Sequence, residues 1–343
     1  MRIIWITPGF AADAQDSTCI PPLYLLAQEF TRLGIDLHIL ALEYPPGKGG
    51  TRDDGFAVYP CQGNNRPWLR WRTFYRARYF AQQIHLEKKV RVVHSFWLGP
   101  AWVVGRQISR RLNIPLLTTL MGQDVLPQNR YLKRLAPGIA NQLVALSPFH
   151  QNALEKTCGL RAAHEIPWGI AGADIPAQLP AERPIDILGV GSLIQVKNWV
   201  QWLEVLRLIN EKQPGVQAEL IGEGPQLNLL KQQAERLGLA QHLTFAGSLP
   251  RPEVLERMRR SKVLLHTGHF ESFGFVFAEG AANGCRVVST PVGAAPAFGV
   301  CSETSAGLAA AVLQVLAQPD LQKPRVVYRM EDTAAAYLKL YGG

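Results

Sequence analysis

Short apolar runs alternate along this chain with longer stretches whose apolar residues recur every three or four positions. RIIWITP, IDLHILAL, VRVVHSFW, IPLLTTLMG and QLVALS are near-continuous apolar segments, with LYLLAQEFTRLG and WVVGRQISRRLN standing between them. A strand buried on both faces reads as an unbroken apolar run, whereas a strand with one wet face alternates. The pattern therefore predicts a parallel sheet covered by helices. Gly34 and Asn113 fall where two of the helical stretches turn into the next strand, as C-terminal caps should.

Residues 171–184, AGADIPAQLPAERP, lose this periodicity and fill with Pro and Ala, the composition of a linker. The pattern then restarts with IDILGVGSL, NWVQWLEVLRLIN, VQAELIGEGP, QLNLLKQQAERLG, HLTFAGSLP, PEVLERMRR, KVLLHTG, FVFAEGAANG and RVVSTPVG. A length of 343 residues exceeds one ordinary core. The expected fold class is α/β, with two Rossmann-like, doubly wound domains facing each other across a cleft, at residues 1–170 and 185–325. In the closing segment, 326–343, MEDTAAAYLKLY reads as a short amphipathic helix that can pack on either domain.

Composition changes this picture little: 47% hydrophobic and 18% charged residues describe a folded chain throughout. No apolar run approaches the roughly 20 residues that span a bilayer. MRIIWITPGF enters a strand without a cleavage pattern, so a cytoplasmic location is expected. Cys19, Cys61, Cys158, Cys285 and Cys301 are scattered, which indicates neither a disulfide framework nor a zinc site. Charge adds more. Residues 1–180 hold 20 Lys and Arg against 12 Asp and Glu, while the remainder holds 16 against 15. Much of the excess lies between Arg66 and Phe80, where five arginines mingle with six aromatic residues and no acid. On a helix, Trp68, Trp71, Phe74, Tyr75 and Tyr79 fall near one side. Two readings stand together: docking on the anionic inner face of a membrane as a peripheral protein, or a solvated basic helix packed through its aromatic stripe. No nucleic-acid-binding motif accompanies the run, and nucleic acid is not an expected partner.

The candidate chemistry gathers in HFESFGFVFAEGAANG, where seven residues separate Glu271 from Glu279 at a strand-loop-helix junction. Gly274 lets backbone approach a ligand, and the amides that start the following helix suit a diphosphate without any metal. Glu279, about a turn into that helix, has two acceptor oxygens for the hydroxyls of a ribose. Glu271 stands nearer a sugar and suits stabilisation of a developing oxocarbenium ion. GVGSLIQVKN places Gly191 and Lys197 after the first strand of the second domain, where an ammonium would neutralise the departing diphosphate. Gly222 and Glu223 belong to GEGP, a tight turn with a structural or a ligand-binding role.

GVGSLIQVKN, IGEGP, LTFAGSLP and ESFGFVFAEGAANGCRVVSTPVG together resemble the large retaining glycosyltransferase family of the GT-B fold (glycosyltransferase group 1, or family 4), whose hallmark is the E-x7-E spacing. The resemblance covers nearly the whole chain and is most specific over 185–295. It implies a nucleoside diphosphate sugar as donor, a saccharide or lipid-linked acceptor, retention of anomeric configuration and no metal. It assigns Glu279 to the ribose, Glu271 to the donor sugar, the amides around Phe273 to Phe275 to the diphosphate, Lys197 to phosphate charge, and Ser248 and Leu249 to the base. No protein nucleophile is implied.

The sequence departs from the family at Ser192, where many relatives carry a phosphate-binding arginine. It departs again at Met121 in TLMGQDVL, where many carry the histidine of an H-G-x-D loop lining the acceptor side. Gly122 and Asp124 match the rest of that loop; Asp124 is the acceptor-side candidate, with a helix N-cap as its alternative role. In same-face transfer the departing phosphate can take the acceptor proton, so a histidine is dispensable. PGFAADAQDST replaces the usual glycine pair of the first loop and keeps Gly9. His94, at a strand end, is a candidate cleft residue whose alternative is structural. His266 and His269 have H-x-x-H spacing without a third ligand, and no metal site is read there. An alternative function is a catalytically impaired relative that binds nucleotide sugar or a partner without transfer.

Overall fold

The computed structural model describes residues 1–13, 16, 19–47, 50–51, 54–136, 138–318 and 323–342. It divides into two compact units, Met1–Gly169 with Met330–Gly343, and Ile170–Arg329.

The first unit contains β1 (Arg2–Gly9), α1 (Pro21–Arg32), β2 (Asp36–Tyr44), β3 (Gly50–Thr51), β4 (Ala57–Pro60), α2 (Arg70–Glu87), β5 (Val92–Phe96) and α3 (Pro100–Leu112). After these come β6 (Leu116–Thr119), β7 (Leu143–Ala145), α4 (Pro148–Cys158) and β8 (His164–Glu165). Strands run parallel in the order β4-β2-β1-β5-β6-β7-β8, and β3 adds antiparallel to β4. The apolar runs are buried as their composition predicts: Ile3, Ile4, Trp5 and Ile6 in β1 have no exposed surface. Gly34 at φ +70° and Asn113 at φ +51° take the left-handed conformation after α1 and α3.

Within α2 the outcome differs from the expected aromatic stripe. Trp68 lies in a short 3-10 turn ahead of the helix, and the buried face consists of Thr73, Ala77, Ala81 and Ile84. Small residues let α2 lie close on β2 and α3. Their spacing turns Trp71, Tyr75, Tyr79 and Leu86 outward, and these side chains and Trp68 are exposed. The packed-stripe reading is therefore corrected.

The final helix, α11 (Met330–Gly342), belongs to the first unit although the chain reaches it last. Thr333 donates to the carbonyl of Pro167 at 2.8 Å, and the Tyr341 ring meets Phe30 edge-on at 5.9 Å.

The second unit comprises β9 (Ile185–Val190), α5 (Trp199–Lys212), β10 (Ala218–Ile221), α6 (Leu227–Arg236), β11 (Leu243–Gly247), α7 (Arg251–Arg259) and β12 (Ser261–His266). It continues with α8 (Phe275–Ala282), β13 (Arg286–Ser289), α9 (Ala295–Phe298), β14 (Gly299–Cys301) and α10 (Ser305–Leu316). All six strands are parallel, in the order β11-β10-β9-β12-β13-β14. Numbered within the unit this is 3-2-1-4-5-6, the doubly wound order whose direction reverses between β9 and β12. Trp199, Trp202, Leu203 and Leu206 of α5 pack with Leu230 of α6 and Leu308 and Val312 of α10 in its core.

The Pro-rich stretch read as a linker is fastened to this second unit. Arg183 donates to the carbonyls of Arg259 (2.8 Å) and Gly284 (2.9 Å), and Asp174 accepts a two-pronged ion pair from Arg251.

Candidate functional site

In an open doubly wound sheet, ligands bind beyond the carboxyl ends of the strands at the point of reversal. In the second unit that point is served by the loops after β9 and β12, which carry Lys197 and Glu271. The loop after β9 is braced by the one after β10. Leu193 N–H donates to the Glu223 carbonyl at 2.8 Å, and Gly191 N–H to Ile221 at 3.0 Å. A Cβ on Gly222, at φ +144°, would stand 2.0 Å from the Gly191 carbonyl oxygen, so only glycine permits this approach. The Trp199 indole N–H donates to the Ser192 carbonyl at 2.9 Å, leaving the short Ser192 side chain exposed at the rim. The Glu223 carboxylate accepts from the backbone N–H of Ser248 at 3.4 Å, which joins the GEGP turn to the loop of Ser248 and half-buried Leu249.

Lys197, His266 and Glu271 form one cluster. The Lys197 ammonium donates to Glu271 Oε1, and His266 Nε2 lies 3.0 Å from the same oxygen. Gly268 N–H donates to His266 Nδ1 at 3.2 Å, so the ring accepts there and presents its proton to Glu271 from Nε2. Burial lowers the His266 pKa and keeps the ring neutral. Burial works against Glu271 ionising, but the His266 hydrogen bond and the Lys197 charge outweigh it and hold the carboxyl down at about 2. Glu271 is thus a fixed, largely buried negative charge with 14% of its side chain exposed.

The chain then passes Phe273, whose ring is buried near Phe298 and Tyr328 at centroid distances of 6.1 and 6.0 Å. Its carbonyl accepts from the Ala294 N–H at 2.8 Å, which leaves its backbone N–H for a ligand. Gly274 follows at φ +79° and starts α8 without a side-chain cap. A Cβ there would fall 2.2 Å from the Phe277 ring. The Phe277 N–H turns back to the Gly274 carbonyl at 2.9 Å, and the amides of Phe275 and Val276 are left to water or an anion. Glu279 is buried and accepts from Arg251 Nε at 2.8 Å, while Arg251 Nη1 and Nη2 donate to Asp174 at 3.0 and 2.7 Å. Burial raises the Glu279 carboxyl to about 7, with Arg251 pulling it down and Asp174 pushing it up. One Glu279 oxygen is engaged with Arg251.

The first-unit candidates divide. Asp124 accepts backbone N–H bonds from Leu98 (2.7 Å), Met121 (3.1 Å) and Gly122 (2.7 Å). Burial raises its carboxyl to about 6 against those bonds. It ties the loops after β5 and β6 together and does not cap a helix. Met121 is buried, and the Gly122 carbonyl meets His150 Nε2 at 3.0 Å. His94 is corrected as a cleft residue. It is fully buried, with Nδ1 2.5 Å from the Tyr341 hydroxyl and Nε2 2.8 Å from Thr119 Oγ1, and desolvation drives its pKa well below the usual value. Its role is to seat α11. Gly9 ends β1 against Tyr44 and Cys19; residues 14, 15, 17 and 18 of its loop lie outside the described residues.

Sequence reasoning missed Arg251, Asp174 and His150, and passed over His266 except as a metal ligand. His266 had a signal in its place at a strand end five residues before Glu271; the ion pairs of Arg251 span 28 and 77 residues and had none.

Fold and site together define a two-unit, doubly wound α/β protein with an anion-receptive loop set at the strand reversal of its second unit. Residues 173–322 match the family described as Glycosyl transferases group 1, and residues 23–171 the one described as Glycosyltransferase Family 4. The chain belongs to the group 1 glycosyltransferases. The glycogen synthase of Mycobacterium tuberculosis (strain ATCC 25618 / H37Rv) is 31% identical over 171 residues, 47% of this chain and 41% of that protein. The chain thus spans less than half the length of that relative. The glycosyltransferase structure from Rickettsia africae ESF-5 aligns with a TM-score of 0.71 at 17% identity, over 99% of this chain and 94% of that one. Anabaena HepE in complex with UDP and glucose aligns with a TM-score of 0.66 at 18% identity, over 99% and 97%. Both likenesses show the GT-B fold.

Proposed function

We propose that this protein moves a sugar from a nucleoside diphosphate donor, bound by its second unit, to a saccharide or lipid-linked acceptor with retention of anomeric configuration. The observation that carries this reading is the Lys197–Glu271–His266 cluster beside the uncapped start of α8. The glycogen synthase name of one relative and the UDP and glucose bound by HepE support it.

An ammonium has three N–H donors, and one is spent on Glu271, so Lys197 has two for phosphate oxygens. Together with the amides of Phe275 and Val276 they meet the charge that grows on the departing diphosphate, and no divalent cation enters the scheme. Glu271, ionised at any working pH, accepts from sugar hydroxyls and opposes the positive charge that develops at the anomeric carbon. The second oxygen of Glu279 receives the ribose, with Arg251 holding the first. Ser192 contributes no charge, so Lys197 carries a larger share of the phosphate. The acceptor proton passes to the departing phosphate.

Calorimetric titration with UDP, GDP and ADP, with chelator present, tests the reading. One diphosphate binds, and Lys197→Ala weakens it by about 10–100-fold, the worth of a charge-assisted bond. Failure to bind any of them, with none released from their sugars, overturns it.

A further inference from the structure

The outward face of α2 has no part in the donor site, yet among the described residues it gathers exposed large apolar side chains as no other element does. Of the exposed large hydrophobic residues, Trp68, Trp71, Tyr75, Tyr79 and Leu86 all lie on this helix and the 3-10 turn before it. Trp68 and Trp71 are 68% and 71% exposed. The buried Thr73–Ala77–Ala81–Ile84 stripe fixes the rotation of the helix, so this ridge is turned outward by the packing itself.

Charge points the same way. No acidic residue occurs between Asp54 and Glu87. Among the described residues Arg66, Arg70, Arg72, Arg76 and Arg78 have no ion-pair partner: Arg76 and Arg78 donate to Gln62 and Gln107, and Arg66 and Arg72 lie over Trp68 and Trp71. Beside the ridge, Arg78, Arg110 and Arg111 with Tyr75 and Tyr79 line a groove of 660 Å³ between α2 and α3.

We infer that the outer face of α2 docks the protein on an anionic lipid bilayer. The helix lies in the plane of the interface, where Trp68, Trp71, Tyr75, Tyr79 and Leu86 enter the headgroup boundary and the arginines meet lipid phosphates. The α2–α3 groove receives one such phosphate. Trp and Tyr are amphipathic rings suited to that depth, and guanidinium groups pair with phosphate in two-pronged geometry. A nucleic acid would use the arginines and stack on rings, but it has no use for the aliphatic Leu86 in line with them. Among the described residues no helix is long and apolar enough to cross a membrane, so α2 lies on the bilayer.

Vesicle flotation tests this with the full chain, comparing phosphatidylcholine vesicles with vesicles containing 30% phosphatidylglycerol. The protein floats with the anionic vesicles alone, floats less as salt rises, and shows blue-shifted tryptophan emission. Partitioning falls on the order of a thousandfold in a variant carrying Arg66→Ser, Arg70→Ser, Arg72→Ser and Arg78→Ser. The emission shift disappears in a variant carrying Trp68→Ser and Trp71→Ser, and thermal unfolding of both variants matches the parent because the replaced side chains are not in the core. The inference is overturned if the anionic vesicles are not bound, or if either set of substitutions leaves partitioning and emission unchanged. It is also overturned if the same residues bind a single-stranded oligonucleotide in place of vesicles, or if light scattering finds a dimer that the Trp68→Ser, Trp71→Ser variant dissolves.

Discussion

Replacing Glu279 by glutamine separates the electrostatics of this buried carboxylate from its shape. Glutamine keeps an oxygen for Arg251 Nε and removes the titration. The Glu279 carboxyl stands at about 7 in the folded protein against a reference of 4.5, chiefly because burial disfavours its charged form. Between those two values the native state retains a proton that the unfolded chain has lost. The stability associated with Glu279 is therefore fully present below 4.5 and is lost as pH rises through about 7. Each tenfold change in proton affinity is worth about 1.4 kcal/mol, so from pH 5 to pH 8 the parent loses about 3 kcal/mol through this one group. With only 10% of its side chain exposed, solvent screening reduces the figure little. For a unit of this size the loss equals a fall of about 6–12 °C in the melting temperature of the second unit. The assay is scanning calorimetry of parent and Glu279→Gln protein at pH 5, 6, 7 and 8, read as the difference between the two at each pH, which cancels all other titrating groups. The variant gains on the parent steadily up to about pH 7 and no further. Parallel pH profiles would refute the reasoning, because they would mean that Glu279 carries the same charge in the folded and unfolded states.

Three further outcomes are expected. His94→Phe removes the ring partner of the Tyr341 hydroxyl and one of the two partners of Thr119 and lowers stability by about 2–4 kcal/mol in thermal unfolding, yet turnover measured well below the melting temperature is unchanged; a hundredfold fall would restore His94 to the chemistry. Asp124→Asn turns one of the two oxygens into an amide donor, which then faces either the Leu98 N–H or those of Met121 and Gly122, and costs about 2–3 kcal/mol at pH 7.5, measured by denaturant titration, which an unshifted midpoint would contradict. Gly222→Ala drives a Cβ to 2.0 Å from the Gly191 carbonyl, so the paired loops separate; nucleoside diphosphate binding is lost in titration calorimetry, and retained affinity would show that the loops are not part of the site.

Both sheets were legible because parallel strands buried on two faces leave continuous apolar runs, as in RIIWITP and KVLLHTG, and because Gly34 and Asn113 mark helix ends by a conformation that few residues tolerate. Lys197 and Glu271 were legible as a site because the strand order places the loops after β9 and β12 side by side. What the sequence concealed depends on long-range contact. Counting apolar residues around α2 grouped the aromatic side chains and suggested a buried stripe, but close packing chose the small side chains of Thr73, Ala77 and Ala81. Volume decided where hydrophobicity alone misled. Likewise, nothing local distinguishes His94 at a strand end that lines a cleft from one that receives a distant tyrosine.

The return of α11 to the first unit sets an order of events during synthesis. The second unit is one unbroken stretch, Ile170–Arg329, and all of its strands have been made before α11 exists. The first unit, although begun earlier, must wait with the seat of Tyr337 and Tyr341 empty and His94 and Thr119 open beneath it. On the ribosome, the part of the chain made first is therefore the last to be completed, and the slot stays open to solvent until its closing helix arrives.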